Sequence, residues 1–167
     1  VLDDLYSYDG GLGVTWAGGV PTVSVWAPTA KNVTFHLFAD SDPAATSTTT
    51  PMVLDPATGV WSLTGEAGWE WQYYLFEVEV WVNSTDQVEH NVVTDPYSLS
   101  LATNSTRSQI VDLSDPALQP EGWMTYNKPP LQAPEDITLY ELHMRDFSAY
   151  DVTTPQAARG TYTAFTD

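Results

Sequence analysis

Residues 69–82, Trp-Glu-Trp-Gln-Tyr-Tyr-Leu-Phe-Glu-Val-Glu-Val-Trp-Val, alternate with period two over their whole length. Side chains of a β-strand point to opposite faces in turn, so the pattern predicts one long strand with two unlike faces. Tyr74, Phe76, Val78, Val80 and Val82 make an apolar face that must be sealed. Trp69, Trp71, Tyr73, Leu75, Glu77, Glu79 and Trp81 make the other, which mixes aromatics with carboxylates. A helix would scatter both sets around its circumference. A strand with one sealed face needs a sheet around it and a second layer over it.

The rest of the first two thirds supplies that sheet. Thr22–Trp26, Asn32–Phe38, Met52–Leu54, Val60–Thr64, Gln87–Val93 and Ser108–Asp112 are short β-branched or aromatic runs between turn residues. Asp40–Pro51, rich in Ser, Thr, Ala and Pro, reads as a loop. Asp55-Pro56-Ala57-Thr58-Gly59, Asn83–Asp86 and Thr94-Asp95-Pro96-Tyr97 read as turns. The expectation is an all-β chain with an immunoglobulin-like β-sandwich over residues 1–112. Residues 113–135 carry Pro116, Pro120, Pro129, Pro130 and Pro134 without any period, and read as an extended connector. Residues 136–167 differ again. Ile137–Met144 reads as a strand buried on both faces, followed by polar turn-like sequence that looks cut.

Composition narrows the partners. Five Lys and Arg stand against 22 Asp and Glu, a net charge of −17. Such a chain is repelled by nucleic acid and by anionic membranes, so neither is expected as a partner. The acidic excess is compatible with a salty external medium. No apolar run reaches the ~20 residues of a bilayer span. No basic segment precedes an apolar one as in a signal peptide. Cysteine is absent, which removes disulfides, thiolate zinc sites and cysteine nucleophiles. Asn32, Asn83 and Asn104 begin N-x-Ser/Thr triplets, which arise by chance in a Thr-rich chain. No cofactor is required by any motif. Asp40, Asp42 and Asp55 are a candidate calcium cluster, though their spacing is not that of an EF-hand and loop solvation explains them as well. His36 and His90 are isolated. Glu141, His143, Arg145 and Asp146 suit acid–base chemistry by type, but polar residues at a strand end more often hold a loop. The mixed face of the long strand is the sharper feature. Sugar rings present flat C–H faces that stack on aromatics, which makes Trp69, Trp71, Tyr73 and Trp81 candidate carbohydrate-binding residues. The competing reading is that a neighbouring domain or the connector covers this stripe.

Several short strings now occur in a telling order. They are Tyr8-Asp9-Gly10-Gly11-Leu12-Gly13, Val25-Trp26-Ala27-Pro28-Thr29-Ala30, Gly59-Val60-Trp61, Tyr73–Val78, Thr94-Asp95-Pro96-Tyr97-Ser98 and Ile137–Ser148, then Arg159-Gly160-Thr161-Tyr162. Together they resemble the N-terminal part of pullulanases and limit dextrinases, the starch-debranching enzymes of glycoside hydrolase family 13. The resemblance implies a family 48 carbohydrate-binding module over residues 1–112, the connector, and from residue 136 the first strand of a truncated (β/α)8 barrel. In that family a carboxylate nucleophile and a carboxylic acid cleave α-1,6 linkages with retention, on later barrel strands. Their motifs do not occur here, so no catalytic residue is assigned.

The resemblance also bears on binding. Starch-binding members use two tryptophans and a lysine. The lysine position holds Leu75, no tryptophan stands near Ala39–Asp40, and Trp81 alone takes the place of the second. Affinity for α-glucan is therefore expected to be weak. The catalytic barrel of the parent protein is the expected partner, and the orphan strand 137–144 is expected to pair with something, another copy of the chain included. The alternative reading is a stand-alone α-glucan-binding module without enzymatic activity. The acidic composition makes an extracellular or secreted protein the expectation, with plastid or cytoplasm as the alternative.

Overall fold

Gly18 and Gly19, with φ of 58° and 77°, reverse the chain between β1 (Gly13–Ala17) and β2 (Val20–Trp26). Two left-handed residues in succession give a tight hairpin whose twist matches its strands, and Ala17 pairs with Val20. The computed structural model describes residues 1–166. Its first compact unit is Val1–Gln119, opened by the short helix α1 (Leu2–Leu5). The other strands are β3 (Ala30–Phe38), β4 (Thr48–Pro51), β5 (Val53–Asp55), β6 (Val60–Thr64), β7 (Tyr73–Val82), β8 (Gln87–Val93) and β9 (Ser108–Gln109). One sheet has the order β1-β2-β6-β5. The other has β4-β3-β7-β8, with β9 also on β7. Every pairing is antiparallel. This unit is the β-sandwich that the alternating runs imply.

The core holds Val23, Val25 and Trp61 from one sheet, and Val33, Phe35, Tyr74 and Phe76 from the other, closed by Met52 and Ile110. Phe35 is fully buried and lies 5.2 Å, centroid to centroid, from Trp69, 5.4 Å from Tyr74 and 6.3 Å from Phe76. The sealed face of β7 begins as expected, with Tyr74 and Phe76 at 0% exposure.

Four sequence expectations need correction. The first strand is β1, ahead of Thr22. The end of the segment read as a loop, Thr48–Pro51, forms β4 on the edge of β3, four residues long. The long strand starts at Tyr73, not Trp69. Residues 67–69 form a 3-10 turn, and Trp71 has a φ of 69°. The Trp71 N–H donates to the Ile110 carbonyl at 2.8 Å and the Ile110 N–H to the Gln72 carbonyl at 2.9 Å, so this turn is tied to the chain beyond β9.

The last correction concerns Ile137–Met144. Among the described residues from Pro120 onward there is no strand. Residues 137–143 are unpaired and exposed, Ile137 by 55% and Leu139 by 90%, and Met144 opens the helix α2 (Met144–Ser148). A strand buried on both faces needs a hydrogen-bonded neighbour on each side, and no described residue pairs with this segment. What forms instead is local. Phe147 stacks on Phe165 at 5.1 Å and meets Tyr140 edge-on at 6.3 Å, while the Ser148 hydroxyl accepts from the Gly160 N–H at 2.9 Å.

Candidate functional site

The outer face of the β4-β3-β7-β8 sheet brings together His36, Glu77, Glu79 and His90. Register places Thr34 opposite Glu77, His36 opposite Leu75 and His90 opposite Glu79. Glu77 is the hub of this face. Its Oε2 meets His36 Nε2 and its Oε1 meets His90 Nδ1, both at 2.9 Å. His36 Nδ1 lies 3.2 Å from the Ser47 hydroxyl. Hydrogen bonds from His90 first and His36 second hold the Glu77 carboxyl below its usual range. His36 and His90, isolated along the chain, are thus joined across three strands. Adjacent Glu79 accepts from Asn32 Nδ2 at 3.2 Å. Both carboxylates of the mixed face are engaged by neighbouring side chains.

The four aromatic candidates do not form one platform. Trp69 leaves the face altogether and stacks nearly parallel, at 9°, on Phe35. Trp71 is 39% exposed on its left-handed turn, where its carbonyl accepts from Gln109 Nε2 at 3.1 Å. Tyr73 is half-buried at the start of β7. Trp81 is 48% exposed near the far end of β7, and its Nε1 donates to Asn83 Oδ1 at 2.9 Å. Tyr73 and Trp81 stand eight positions apart, about 26 Å along an extended strand. No single sugar ring can touch both.

Other sequence candidates separate as well. Asp40, Asp42 and Asp55 each accept a backbone N–H two residues ahead. They do not gather, and no group of three or more metal-ligating side chains occurs among the described residues. His143 caps α2, accepting from the Asp146 N–H at 3.4 Å, and both side chains are largely exposed.

A buried polar cluster escaped the sequence reading. The Tyr74 hydroxyl donates to Asp95 Oδ2 at 2.6 Å, the Asp95 N–H donates to the Ser108 hydroxyl at 2.9 Å, and the Tyr97 N–H donates to Asp95 Oδ1 at 2.8 Å. Burial raises both the Asp95 carboxyl and the Tyr74 hydroxyl above their ordinary values. The cluster pins the 94–98 turn to the core. The signal lies in period two, which puts Tyr74 on a sealed face where a hydroxyl needs a partner.

A sandwich of this topology has a counterpart among known proteins. Residues 11–98 match the carbohydrate-binding module 48 family, the isoamylase N-terminal domain. The chain belongs to this family. Over nearly its whole length it is also 39% identical to the chloroplastic pullulanase 1 of Arabidopsis thaliana, covering 99% of this chain and 17% of that protein. The pullulanase of Klebsiella pneumoniae is likewise 39% identical, over 99% of this chain and 16% of its own length. Among solved structures, apo pullulanase from Klebsiella pneumoniae superposes with a TM-score of 0.89 at 38% identity, covering 99% of this chain and 18% of that one. The pullulanase of Paenibacillus barengoltzii, in complex with maltohexaose and α-cyclodextrin, gives 0.84 at 32%, covering 99% and 24%. The chain spans about one sixth of the length of these two curated pullulanases.

Within this module-48 chain the expected lysine position is occupied by Leu75, half-buried and opposite His36. It offers a sugar hydroxyl no donor. The central polar group of the face is instead Glu77, already bonded to two histidines.

Proposed function

We propose that this chain is the N-terminal region of a starch-debranching enzyme that hydrolyses α-1,6-glucosidic linkages in pullulan, limit dextrins or amylopectin. The module-48 sandwich serves mainly as a structural partner of a catalytic barrel whose first segment lies in residues 136–166. One observation carries the reading. The family match stops at residue 98, but the likeness to pullulanases runs on to cover 99% of the chain. A free-standing binding module gives no reason for residues 120–166 to resemble a debranching enzyme. Leu75 and the scattered aromatics support only weak affinity for α-glucan, with a Kd no better than about 1 mM. A secreted or plastid location accompanies this reading, since starch and pullulan are met there.

The chain by itself is expected to hydrolyse nothing. Retaining hydrolysis needs two carboxyl groups about 5 Å apart at the C-terminal face of a closed barrel. The test has two arms. Reading the parent gene past Asp167 should reveal several hundred further codons with carboxylate-bearing barrel strands, and the whole product should release maltotriose from pullulan. A stop codon soon after Asp167, or maltotriose released by the 167-residue chain alone, overturns the proposal.

A further inference from the structure

The sandwich carries a second aromatic surface that the mixed face of β7 does not include. At the end of β2, a cleft of about 270 Å³ is lined by Tyr6, Tyr8, Trp26 and Tyr97, together with Leu12. Asp3 and Ser7 also line it. We infer that this cleft is a binding site for one or two rings of an α-glucan, separate from the outer sheet face. The inference rests on the debranching-enzyme reading for its choice of sugar, and on the following construction for its place.

The walls are fixed from behind. Trp26 Nε1 donates to the Tyr6 carbonyl and to the Thr58 carbonyl, both at 3.0 Å, which clamps the N-terminal segment onto the sandwich. Two glycines let the walls close. A Cβ on Gly13, whose φ is 77°, would lie 2.9 Å from the Tyr97 carbonyl oxygen and 3.0 Å from its Cβ. A Cβ on Gly10 would run into the Tyr8 ring and hydroxyl. Tyr97 is held from the other side by the Asp95 carboxylate, through its backbone N–H. The Trp26 ring and the Tyr97 backbone are therefore fixed before any ligand arrives, which lowers the ordering cost of binding.

Tyr8 and Tyr97 are 39% and 38% exposed, and among the described residues neither ring stacks on another aromatic. Aromatic side chains together with a hydroxyl and a carboxylate fit a pyranose, which is apolar on its C–H faces and polar at its edge. The volume lies at the small end of ligand sites, about 300 Å³ and up, so the cleft takes a chain end or short segment, not a long helix of glucan. The net charge of −17 disfavours an anionic ligand. A quaternary ammonium is the competing chemistry, because aromatic walls beside a carboxylate also suit a cation.

The experiment titrates maltotriose, to about ten times a 1 mM constant, into the isotopically labelled 167-residue chain. Aromatic and indole resonances are followed by NMR. Saturating shifts at Trp26, Tyr8 and Tyr97 are expected. Tyr97→Ala and, independently, Tyr8→Ala should weaken those shifts about fivefold or more, while Trp81→Ala leaves them unchanged. The Gly13 and Asp95 amide signals report whether each variant keeps its fold, and Tyr8→Ala decides if Tyr97→Ala does not. Shifts confined to the surroundings of Trp81, no shifts at all, or a response to choline chloride but not maltotriose overturns the assignment. Hydrolysis of pullulan by the whole parent protein tests the debranching reading separately, so a silent cleft beside an active parent rejects the cleft alone.

Discussion

Strand β7 and residues 137–143 are written in much the same residues. One reads Tyr-Tyr-Leu-Phe-Glu-Val-Glu-Val-Trp-Val, the other Ile-Thr-Leu-Tyr-Glu-Leu-His. β7 pairs with β3 along one edge and with β8 and β9 along the other, and Tyr74 and Phe76 are fully buried. Residues 137–143 pair with nothing among the described residues, and Leu139 is 90% exposed. The difference lies outside the segments. Strand propensity measures how well a side chain fits a pleated, half-buried surface, so it has no force until that surface exists. β7 finds its surface within the chain. For 137–143 the surface is proposed to lie in later barrel strands.

The sharpest way to test this contrast is to remove what β7 is built around. Phe35→Ala takes away the ring that touches Trp69, Tyr74 and Phe76, and should cost about 3–5 kcal/mol. Urea unfolding followed by tryptophan fluorescence reads it. A loss below about 1 kcal/mol would mean the core is far looser than the ring distances imply.

A smaller loss is expected at the polar end of the same core. Asp95→Ala leaves the buried Tyr74 hydroxyl without its acceptor, at about 1–3 kcal/mol. Asp95→Asn keeps an acceptor and should cost less. Its pH profile carries the sign. Burial raises the Asp95 carboxyl, so the native state holds that proton more tightly than the unfolded chain. The ionisation penalty is absent below the ordinary value, about 3.9, and grows as pH rises through the raised value. The stability of Asp95→Asn relative to wild type should therefore improve as pH climbs from about 4 toward neutral. An unchanged difference across that range would remove the burial argument.

The sandwich was legible because its signals are local. Val60–Thr64 and Gln87–Val93 stand where the turn residues bracket them, and β3 extends only two residues beyond its expected start at Asn32. β1 was missed although Gly18-Gly19 between two apolar runs is itself a hairpin signal. β4, Thr-Thr-Thr-Pro, has no apolar residue to announce it and exists because the edge of β3 was open. Alternation was carried four residues too far, since nothing in Trp-Glu-Trp-Gln reveals the left-handed Trp71. That error moved Trp69 onto the wrong face. The site was less legible than the fold because it depends on register between distant strands. His36, Glu77 and His90 meet only once β3, β7 and β8 are aligned, and the tyrosine cleft needs residues 6–8 beside 97.

The Glu77 hub gives a subtler contrast, between paired strands and an unpaired one. Its carboxyl is held low, so the unfolded chain binds that proton more tightly than the native state. The stability it contributes is fully present above the ordinary value, about 4.3, and is lost as pH falls through the depressed value. Melting temperatures measured down through the carboxylate range should fall less steeply for Glu77→Gln than for wild type. Parallel curves would show that the two histidine bonds add nothing across the β3-β7-β8 ladder.

The smallest effect is expected where β7 has no counterpart. Leu139→Ala removes a side chain that is already 90% in solvent, so unfolding of the sandwich should change by no more than about 0.5 kcal/mol. The same change at a buried leucine costs about 2–5 kcal/mol, so the two outcomes are well separated. An exposed apolar stretch with free backbone groups also invites pairing with another copy. Sedimentation velocity should then show association that rises with concentration, and Leu139→Asp should suppress it by placing a charge at the contact of a chain already strongly acidic. Association that persists in Leu139→Asp places the contact elsewhere. A loss above about 2 kcal/mol for Leu139→Ala in dilute, monomeric protein would show that residues 137–143 are packed in solution, and the contrast with β7 would fall.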